Sequence, residues 1–335
     1  MLRFNWAIYL PLVGALYFGY LPGSARADAI VAWANGPNHL QVLNAPLGSD
    51  FKAVAGSFYT GYALRVDGSI AAWGGDQYGG VTNSPIGKGF KALIAGDECA
   101  FALRGDGSIT AWGDDSQRLI SNAPIVTGLT AVVSTYGVAL ALRTDGSIVA
   151  WGVNGALEFG IPAGAGYKSL AIARNGSNGT AFALRADGSI AAWGSDQDGL
   201  ISNAPTGVGF KTIAGGSNYA YALRSDGSIA AWGNDFGGAV SGAPPTSGFT
   251  AIATYASTGL AVRADGSIAS WGVYAGYGIP AGLGFTNVVG GPNEAYALRA
   301  VPEPASLMMM GLAATLLCTR PKRQTVANRG QGWRR

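Results

Sequence analysis

The chain has 335 residues, of which 53 are glycine and only 12% are charged, a composition typical of a β-rich protein with many turns. Its formal net charge of +3 comes from residues 1–27 and 301–335, because residues 28–300 hold 14 basic and 18 acidic side chains. A mildly acidic body excludes a nucleic-acid-binding surface there, and the two cysteines, Cys99 and Cys318, exclude a disulfide framework.

Residues 1–27 have the three parts of a bacterial-type secretory signal peptide. Arg3 is followed by an apolar run over residues 6–21 and by an Ala-Arg-Ala sequence that ends at Ala27. We expect signal peptidase to cleave between Ala27 and Asp28. A retained membrane anchor is the alternative, but the apolar run is shorter than the ~20 residues that a spanning helix needs.

Residues 28–300 repeat one motif at a nearly constant spacing. Six complete copies read ALRVDGSIAAWG, ALRGDGSITAWG, ALRTDGSIVAWG, ALRADGSIAAWG, ALRSDGSIAAWG and AVRADGSIASWG, and their aspartates are Asp67, Asp106, Asp145, Asp187, Asp226 and Asp265. Two short apolar runs flank each Asp-Gly pair, which predicts a β-hairpin with a type I′ turn. A third apolar run before each hairpin and a VTNSP-like segment after it predict about four strands in each unit of about 40 residues, the size of a propeller blade.

Half a hairpin stands at each end of this region. Residues 30–33, IVAW, form a second half, and residues 296–299, YALR, form a first half. Joined, they bring seven tryptophans into register, namely Trp33, Trp73, Trp112, Trp151, Trp193, Trp232 and Trp271. The sequence therefore predicts an all-β fold over residues 28–300, a seven-bladed β-propeller whose last four-stranded blade is shared by the N- and C-terminal strands. Such closure removes the open sheet edge.

The repeats resemble the regulator of chromosome condensation family, whose seven-bladed propellers carry an A-L-x-x-D-G-x-x-x-x-W-G core. This resemblance implies the fold. The best-known eukaryotic member is a nucleotide exchange factor for a small GTPase at chromatin. Export and the acidic body argue against that activity in this chain, and no segment matches an inserted contact wedge.

The C-terminal residues resemble a PEP-CTERM sorting signal, with a short motif, an apolar run over residues 305–319 and a basic cluster. Its residues are Val301, Pro302, Glu303, Pro304, Arg320, Lys322 and Arg323. The resemblance implies a tail over residues 301–324 whose short transmembrane helix tethers the protein transiently to the inner membrane. An exosortase-type peptidase then releases the body to the cell surface, the extracellular matrix or the medium. Residues 325–335 are expected to be a basic disordered end, a departure from the family pattern, and a permanent anchor is the alternative.

No catalytic or metal-binding constellation stands out. The single histidine, His39, has no cysteine partner, so neither a zinc site nor a catalytic triad is predicted, and no cofactor is expected. The repeat arginines, one before each turn, are expected to pair with carboxylates or carbonyls of neighbouring blades. They are Arg65, Arg104, Arg143, Arg185, Arg224, Arg263 and Arg299.

Loop alternation in such a fold places the Asp-Gly turns, the links between blades and the chain ends on one face. The opposite, membrane-distal face then collects the candidate ligand-binding residues, Asp76, Gln77, Tyr78, Asp115, Asp196, Asp198, Asp235 and Tyr274. Asp76, Asp115, Asp196 and Asp235 stand three residues after a tryptophan, as do Asn154 and Tyr274. An aspartate at this position either binds cations or sugar hydroxyls or caps its own loop backbone.

Aromatic rings beside carboxylates and amides suit sugars. We therefore expect a monomeric, non-catalytic interaction scaffold in the cell envelope or exopolysaccharide matrix, with a polysaccharide or an envelope protein as its partner. The alternative is a carbohydrate-active enzyme that uses loop carboxylates, which would need two acids about 5 to 10 Å apart.

Overall fold

A computed structural model describes residues 28–34, 44–135, 137–153, 160–174, 179–292 and 294–301. The chain divides into two compact units, residues 1–300 and 301–335. The predicted signal peptide, His39, Asn154 and the predicted tail helix lie outside the described residues.

The described part of the first unit is all-β. Its strands are β1 Asp28–Ala34, β2 Phe51–Gly56, β3 Thr60–Arg65, β4 Ile70–Gly74, β5 Phe90–Ala95, β6 Cys99–Arg104, β7 Ile109–Gly113, β8 Leu129–Thr135, β9 Val138–Arg143, β10 Ile148–Gly152 and β11 Tyr167–Ala173. The series continues with β12 Thr180–Arg185, β13 Ile190–Gly194, β14 Phe210–Gly215, β15 Tyr219–Arg224, β16 Ile229–Gly233, β17 Phe249–Tyr255, β18 Thr258–Arg263, β19 Ile268–Gly272, β20 Phe285–Gly290 and β21 Glu294–Ala300. Two short 3-10 turns, Gln197–Gly199 and Phe236–Gly238, complete these elements.

The strands form antiparallel sheets, five of which correspond to one sequence repeat each, while the sixth joins two repeats. Five of the sheets have three strands, and a six-stranded sheet has the order β20-β21-β1-β2-β3-β4. In that sheet β1 pairs with β21 from Asp28↔Ala300 to Ala34↔Glu294. Only Asp28↔Phe51 joins β1 to β2. The two half-hairpins found in the sequence therefore lie side by side.

Within the described residues each repeat contributes three strands, where four were expected. The VTNSP-like segment, residues 81–85, turns back on itself: the N–H of Asn83 donates to Gly79 O, and the N–H of Ser84 to Val81 O. The N–H of Val81 donates to the side chain of Asp76. Because these donors are used inside the loop, they are not available to extend the sheet.

The Asp-Gly turns differ from the predicted type I′ form. In the first repeat the N–H of Gly68 donates to Arg65 O, and the N–H of Arg65 donates to Ser69 O, which makes a three-residue loop. Gly68 has φ +82°, whereas Asp67 is not among the residues with positive φ. This is a type I turn closed by a left-handed glycine. The aspartate contributes through its carboxylate, which accepts the N–H of Ser69 at 2.9 Å.

Buried tryptophans tie each sheet to the one before it. The indole N–H of Trp112 donates to Gly80 O at 3.0 Å, and that of Trp151 to Leu119 O at 2.9 Å, in each case 32 residues upstream. An aromatic edge contact accompanies these bonds, as in Tyr62–Trp112, where the ring planes lie 87° apart. These tryptophans are therefore core residues between neighbouring units, and their indole N–H groups are satisfied by backbone carbonyls.

The first strands of the repeats pack against one another in chain order. β2 contacts β5, β5 contacts β8, and the series continues through β11, β14 and β17 to β20, which also contacts β2. Across the junction between the two ends, Tyr296 makes an edge contact with Trp73 at 6.1 Å between ring centroids. The junction thus has the same aromatic contact as the other sheet interfaces.

Candidate functional site

The loops fall on two opposite faces of the sheets. We call the side with the Asp-Gly turns the turn face; there the N–H of Phe90 donates to Gly68 O at 3.1 Å. We call the other side the loop face. On it, the segments after the tryptophans meet the loops between first and second strands, as in the bond of 2.7 Å from the N–H of Gly75 to Tyr59 O.

Four of the candidate ligand-binding aspartates, Asp76, Asp115, Asp196 and Asp235, each hold their own loop. The Oδ1 of Asp196 accepts the N–H groups of Ile201 at 2.7 Å and of Ser202 at 2.9 Å. The other three bind the same two positions, five and six residues later. Hydrogen bonds from the residue six positions later are the main cause that lowers the pKa of each carboxyl. The geometry gives these four a loop-capping role, and ligand binding by them stays a prediction.

Asp198 contacts the neighbouring repeat. Its Oδ1 accepts a hydrogen bond from Asn234 Nδ2 at 3.0 Å, and its backbone has φ +61°. Tyr274 lies against the buried Tyr255, with ring centroids 6.1 Å apart. The structure therefore places these two predicted residues at separate points of the loop face, each already in contact with another part of the protein.

Gln77 and Tyr78 form a patch with Tyr59. The rings of Tyr59 and Tyr78 are 6.1 Å apart and tilted by 46°. Gln77 Nε2 donates to the Tyr78 hydroxyl at 3.2 Å. Glu98, from the next repeat, lies near the same hydroxyl, and its charge raises the pKa of Tyr78. We call Tyr59, Gln77, Tyr78 and Glu98 the tyrosine patch.

The tyrosine patch borders a group of acids. Burial and the nearby carboxylates of Asp114 and Asp97 raise the pKa of Glu98, and the Glu98 charge in turn raises the pKa of Tyr78. A cavity of about 10 Å³ lies between Glu98, Asp114 and Gln117, room for about one water molecule. No cluster of three His, Cys, Asp or Glu side chains within the described ranges is arranged to hold a metal ion.

Arg174 is a residue that the sequence analysis missed. It pairs with the buried carboxylate of Asp97, two repeats away, and its guanidinium lies 5.1 Å from the ring centroid of Phe58. The N–H of Phe58 also donates to Asp97 O at 3.0 Å. The available signal was position, because all three residues follow the first strand of their repeat. These contacts bring loops of three repeats together.

The repeat arginines correct another expectation. Arg65 pairs with Asp50 at 2.6 Å, and Arg299 donates to a carbonyl, Leu283 O. The partner that most of the repeat arginines share, however, is an aromatic ring of the same repeat. Six guanidinium groups lie 4.4 to 5.7 Å from the centroid of the Phe or Tyr that begins the first strand, namely those of Arg65, Arg104, Arg185, Arg224, Arg263 and Arg299. A delocalised cation stacks on such a ring without a carboxylate partner.

Most residues of the two predicted processing signals lie outside the described residues. Of them the structure places Asp28, at the start of β1, and Val301, which follows β21. A helix that is long and apolar enough to cross a membrane does not occur in the part of the chain that the structure describes.

Comparison with known proteins supports both the C-terminal sorting motif and the fold of the repeats. Residues 300–323 match the PEP-CTERM protein-sorting motif, a signal for export and for recognition by exosortase. No curated protein is significantly similar to the chain.

Solved structures share the fold. Prp20p of Saccharomyces cerevisiae, the yeast RCC1, which binds Gsp1p and histones, has a TM-score of 0.66 at 17% identity, over 87% of this chain and 96% of that chain. The CRINKLY WD40 ectodomain of the Arabidopsis thaliana receptor kinase ACR4 has a TM-score of 0.59 at 20% identity, over 78% and 92%. At such identities the likeness shows the fold alone. The chain shares the β-propeller fold of these structures, and its C-terminal residues match a PEP-CTERM sorting motif.

Proposed function

We propose that this protein is an exported, non-catalytic scaffold that is sorted to the cell envelope or exopolysaccharide matrix and binds polysaccharide through its loop face. The observation that carries the proposal is the tyrosine patch. Two tilted rings, an amide and a carboxylate offer a sugar both apolar faces to stack on and groups that hydrogen bond its hydroxyls. The sorting motif supplies the route to the envelope.

The scaffold is a closed ring of seven blades over residues 28–300. Two observations support closure: β1 pairs with β21 along its whole length, and β20 packs against β2. In addition, the Tyr296–Trp73 contact repeats the aromatic contact found at other interfaces. A closed ring leaves its loops in fixed positions, which suits recognition by loops.

Charge narrows the class of polysaccharide. The described residues of the loop face include nine acidic side chains and two arginines. The acids are Asp76, Asp97, Glu98, Asp114, Asp115, Asp196, Asp198, Asp235 and Glu294, and the arginines are Arg118 and Arg174. A surface with this balance repels polyanions. The proposed partner is therefore a neutral or amino-sugar polymer rather than an acidic one.

Glu98 and Asp114 favour one competing function, hydrolysis of a polysaccharide, because a carboxyl with a raised pKa beside a second acid is the usual arrangement of a glycosidase. The space between them holds about one water molecule, so a sugar ring does not fit there. Binding on the open surface is the function that this geometry supports better.

Binding of the full chain to the organism's own exopolysaccharide tests the proposal. The double variant Tyr59→Ala/Tyr78→Ala should bind at least about tenfold more weakly. Phe236→Ala is the matched control, since Phe236 is an exposed ring in an equivalent loop of the same face and should leave binding unchanged. Equal losses in both variants, or none, would contradict the assignment. Release of reducing ends by the unmodified protein, abolished in Glu98→Gln, would instead show an enzyme.

The processing part of the proposal has its own test. The mass of the intact protein isolated from its host should lack residues 1–27 and end near Pro302 to Pro304. A species that retains residues 305–319 would establish a permanent anchor in place of release by exosortase.

A further inference from the structure

The two faces carry opposite net charge. Among the described residues the turn face holds twelve basic side chains, the seven repeat arginines together with Lys52, Lys88, Lys91, Lys168 and Lys211. Its acids are the six turn aspartates, Asp28 and Asp50. Contacts place the lysines there: Lys88 Nζ pairs with Asp67 at 2.9 Å, and Lys211 Nζ donates to Ser225 O at 2.8 Å. The turn face is thus net positive and the loop face net negative.

Exposed aliphatic side chains stand at one repeated position at the rim of the turn face. Leu47 and Ile86 are 97% and 96% exposed, and Ile125 is fully exposed. Each follows a proline in the link that leads to the next first strand, at a spacing of 39 residues. The later repeats have Ala163, Thr206, Pro245 and Ala281 at this position. At this position the large apolar side chains are confined to three consecutive repeats, whereas the later links expose Val208 and Leu283 two residues further on.

An apolar groove of about 800 Å³ opens beside Ile125. Its walls include Ile109 from strand β7 and Ile120 and Val126 from the following link, and Arg143 lies at its edge. Arg143 differs from the other six repeat arginines because Leu129 occupies the place of the aromatic ring. Among the described residues no aromatic ring stacks on its guanidinium, and Arg143 lines a groove whose other walls are mostly aliphatic, an arrangement that fits a long hydrocarbon chain with an anionic head.

The last strand, β21, ends on the turn face. The N–H of Ala300 donates to Gly284 O at 2.9 Å in the link of the last repeat, and Ala300 pairs with Asp28. The sorting motif begins at residue 300, the last residue of β21.

We propose that the turn face is a membrane-contact surface for an anionic bilayer. Leu47, Ile86 and Ile125 enter the headgroup region, while the surrounding lysines attract anionic lipids. The groove beside Ile125 takes one acyl chain, and Arg143 binds the phosphate of that lipid. This contact orients the loop face away from the membrane before release, and it does not depend on what the loop face binds.

Lysine reactivity in the full chain provides the test, because all five lysines of residues 28–300 lie on the turn face. The chain is reconstituted into vesicles of phosphatidylcholine, with or without phosphatidylglycerol, and the acylation rate of each lysine is read by mass spectrometry. Lys52, Lys88 and Lys91 should react at least about threefold more slowly in the anionic vesicles. Lys168 and Lys211, which lie in later repeats, should be protected less.

Two variants and a control complete the test. Leu47→Ser/Ile86→Ser/Ile125→Ser should abolish the protection, and its exposed positions leave the fold intact. Arg143→Gln should reduce the protection without changing the exposed aliphatics. Phe236→Ser, an exposed apolar residue on the loop face, should leave the protection unchanged. Equal rates in both kinds of vesicle would overturn the proposal. Protection that increases with the number of chains per vesicle, and does not depend on lipid charge, would also overturn the proposal. Such a result would show contact between copies of the chain.

Discussion

Arg174 pairs with Asp97 although 77 residues separate them in the chain. Asp97 is buried, and the same guanidinium lies over Phe58. The first-to-second-strand loops of three different repeats are therefore fastened to one another on the loop face. Because the partners belong to non-adjacent repeats, this contact reports on the assembled domain and not on a single hairpin.

Loss of this pairing should destabilise the domain. Arg174→Met removes the charge but keeps much of the apolar contact with Phe58, and it leaves a buried carboxylate without its cation. We expect a loss of about 1–2 kcal/mol in the free energy of unfolding, because the pair is partly exposed. Denaturant titration measures it. Asp97→Asn in the Arg174→Met background should restore part of the lost stability. A double variant that is no more stable than Arg174→Met alone would show that the charge pair is not the cause.

Acid should destabilise the domain by protonating the aspartates that hold its loops. The pKa values of Asp76, Asp115, Asp196 and Asp235 are lowered by hydrogen bonds from their own loops. A carboxyl with a lowered folded-state pKa stabilises the fold above its ordinary pKa of about 4, and that contribution is lost as pH falls through the lowered value. The Tm should therefore be constant from neutral pH to about pH 5 and then fall.

Two variants of Asp196 test whether hydrogen bonds from the loop to this side chain, rather than acid sensitivity in general, stabilise the fold. Asp196→Asn keeps an oxygen that accepts the N–H groups of Ile201 and Ser202, whereas Asp196→Ala does not. At neutral pH the alanine variant should have the lower Tm of the two. A Tm that stays constant down to pH 2 in the unmodified protein would contradict the role given to these carboxylates.

The proposed closure of the ring predicts that the junction between the two ends contributes as much stability as any other interface. Tyr296→Ala removes the contact with Trp73, and Phe101→Ala removes the equivalent contact with Trp151. Both side chains are fully buried, so each variant should lose about 3–5 kcal/mol. Deletion of residues 28–34 should cost more than either. A Tyr296→Ala protein as stable as the unmodified one would show that the ends of the domain do not close the ring.

The repeat fold was predictable because one pattern of turn, strand and tryptophan recurs. The number of strands per repeat was not, since VTNSP-like segments have strand-like composition and only the bonds to Asp76 and its equivalents show that they form loops. The tyrosine patch was partly predicted: Tyr78 and Gln77 were named as site residues, but their contact with Glu98 depends on how successive repeats are rotated. Pairing of Arg174 with Asp97 likewise requires the three-dimensional arrangement, because nothing in either repeat marks the two as partners.

The Asp-Gly turns allow a matched test of backbone crowding. Gly107 and Gly128 have φ values of +80° and +79°, so alanine is strained at both positions. A Cβ at Gly107 would meet backbone atoms of Gly128 and Leu129, whereas a Cβ at Gly128 would meet only the Thr144 side chain, at 3.7 Å. Gly128→Ala should therefore cost about 1–2 kcal/mol of unfolding free energy, the strain of a left-handed residue. Gly107→Ala should cost clearly more, because the link to the next repeat must move. Equal losses in denaturant titrations of the two variants would mean that the turn and the link are not in close contact.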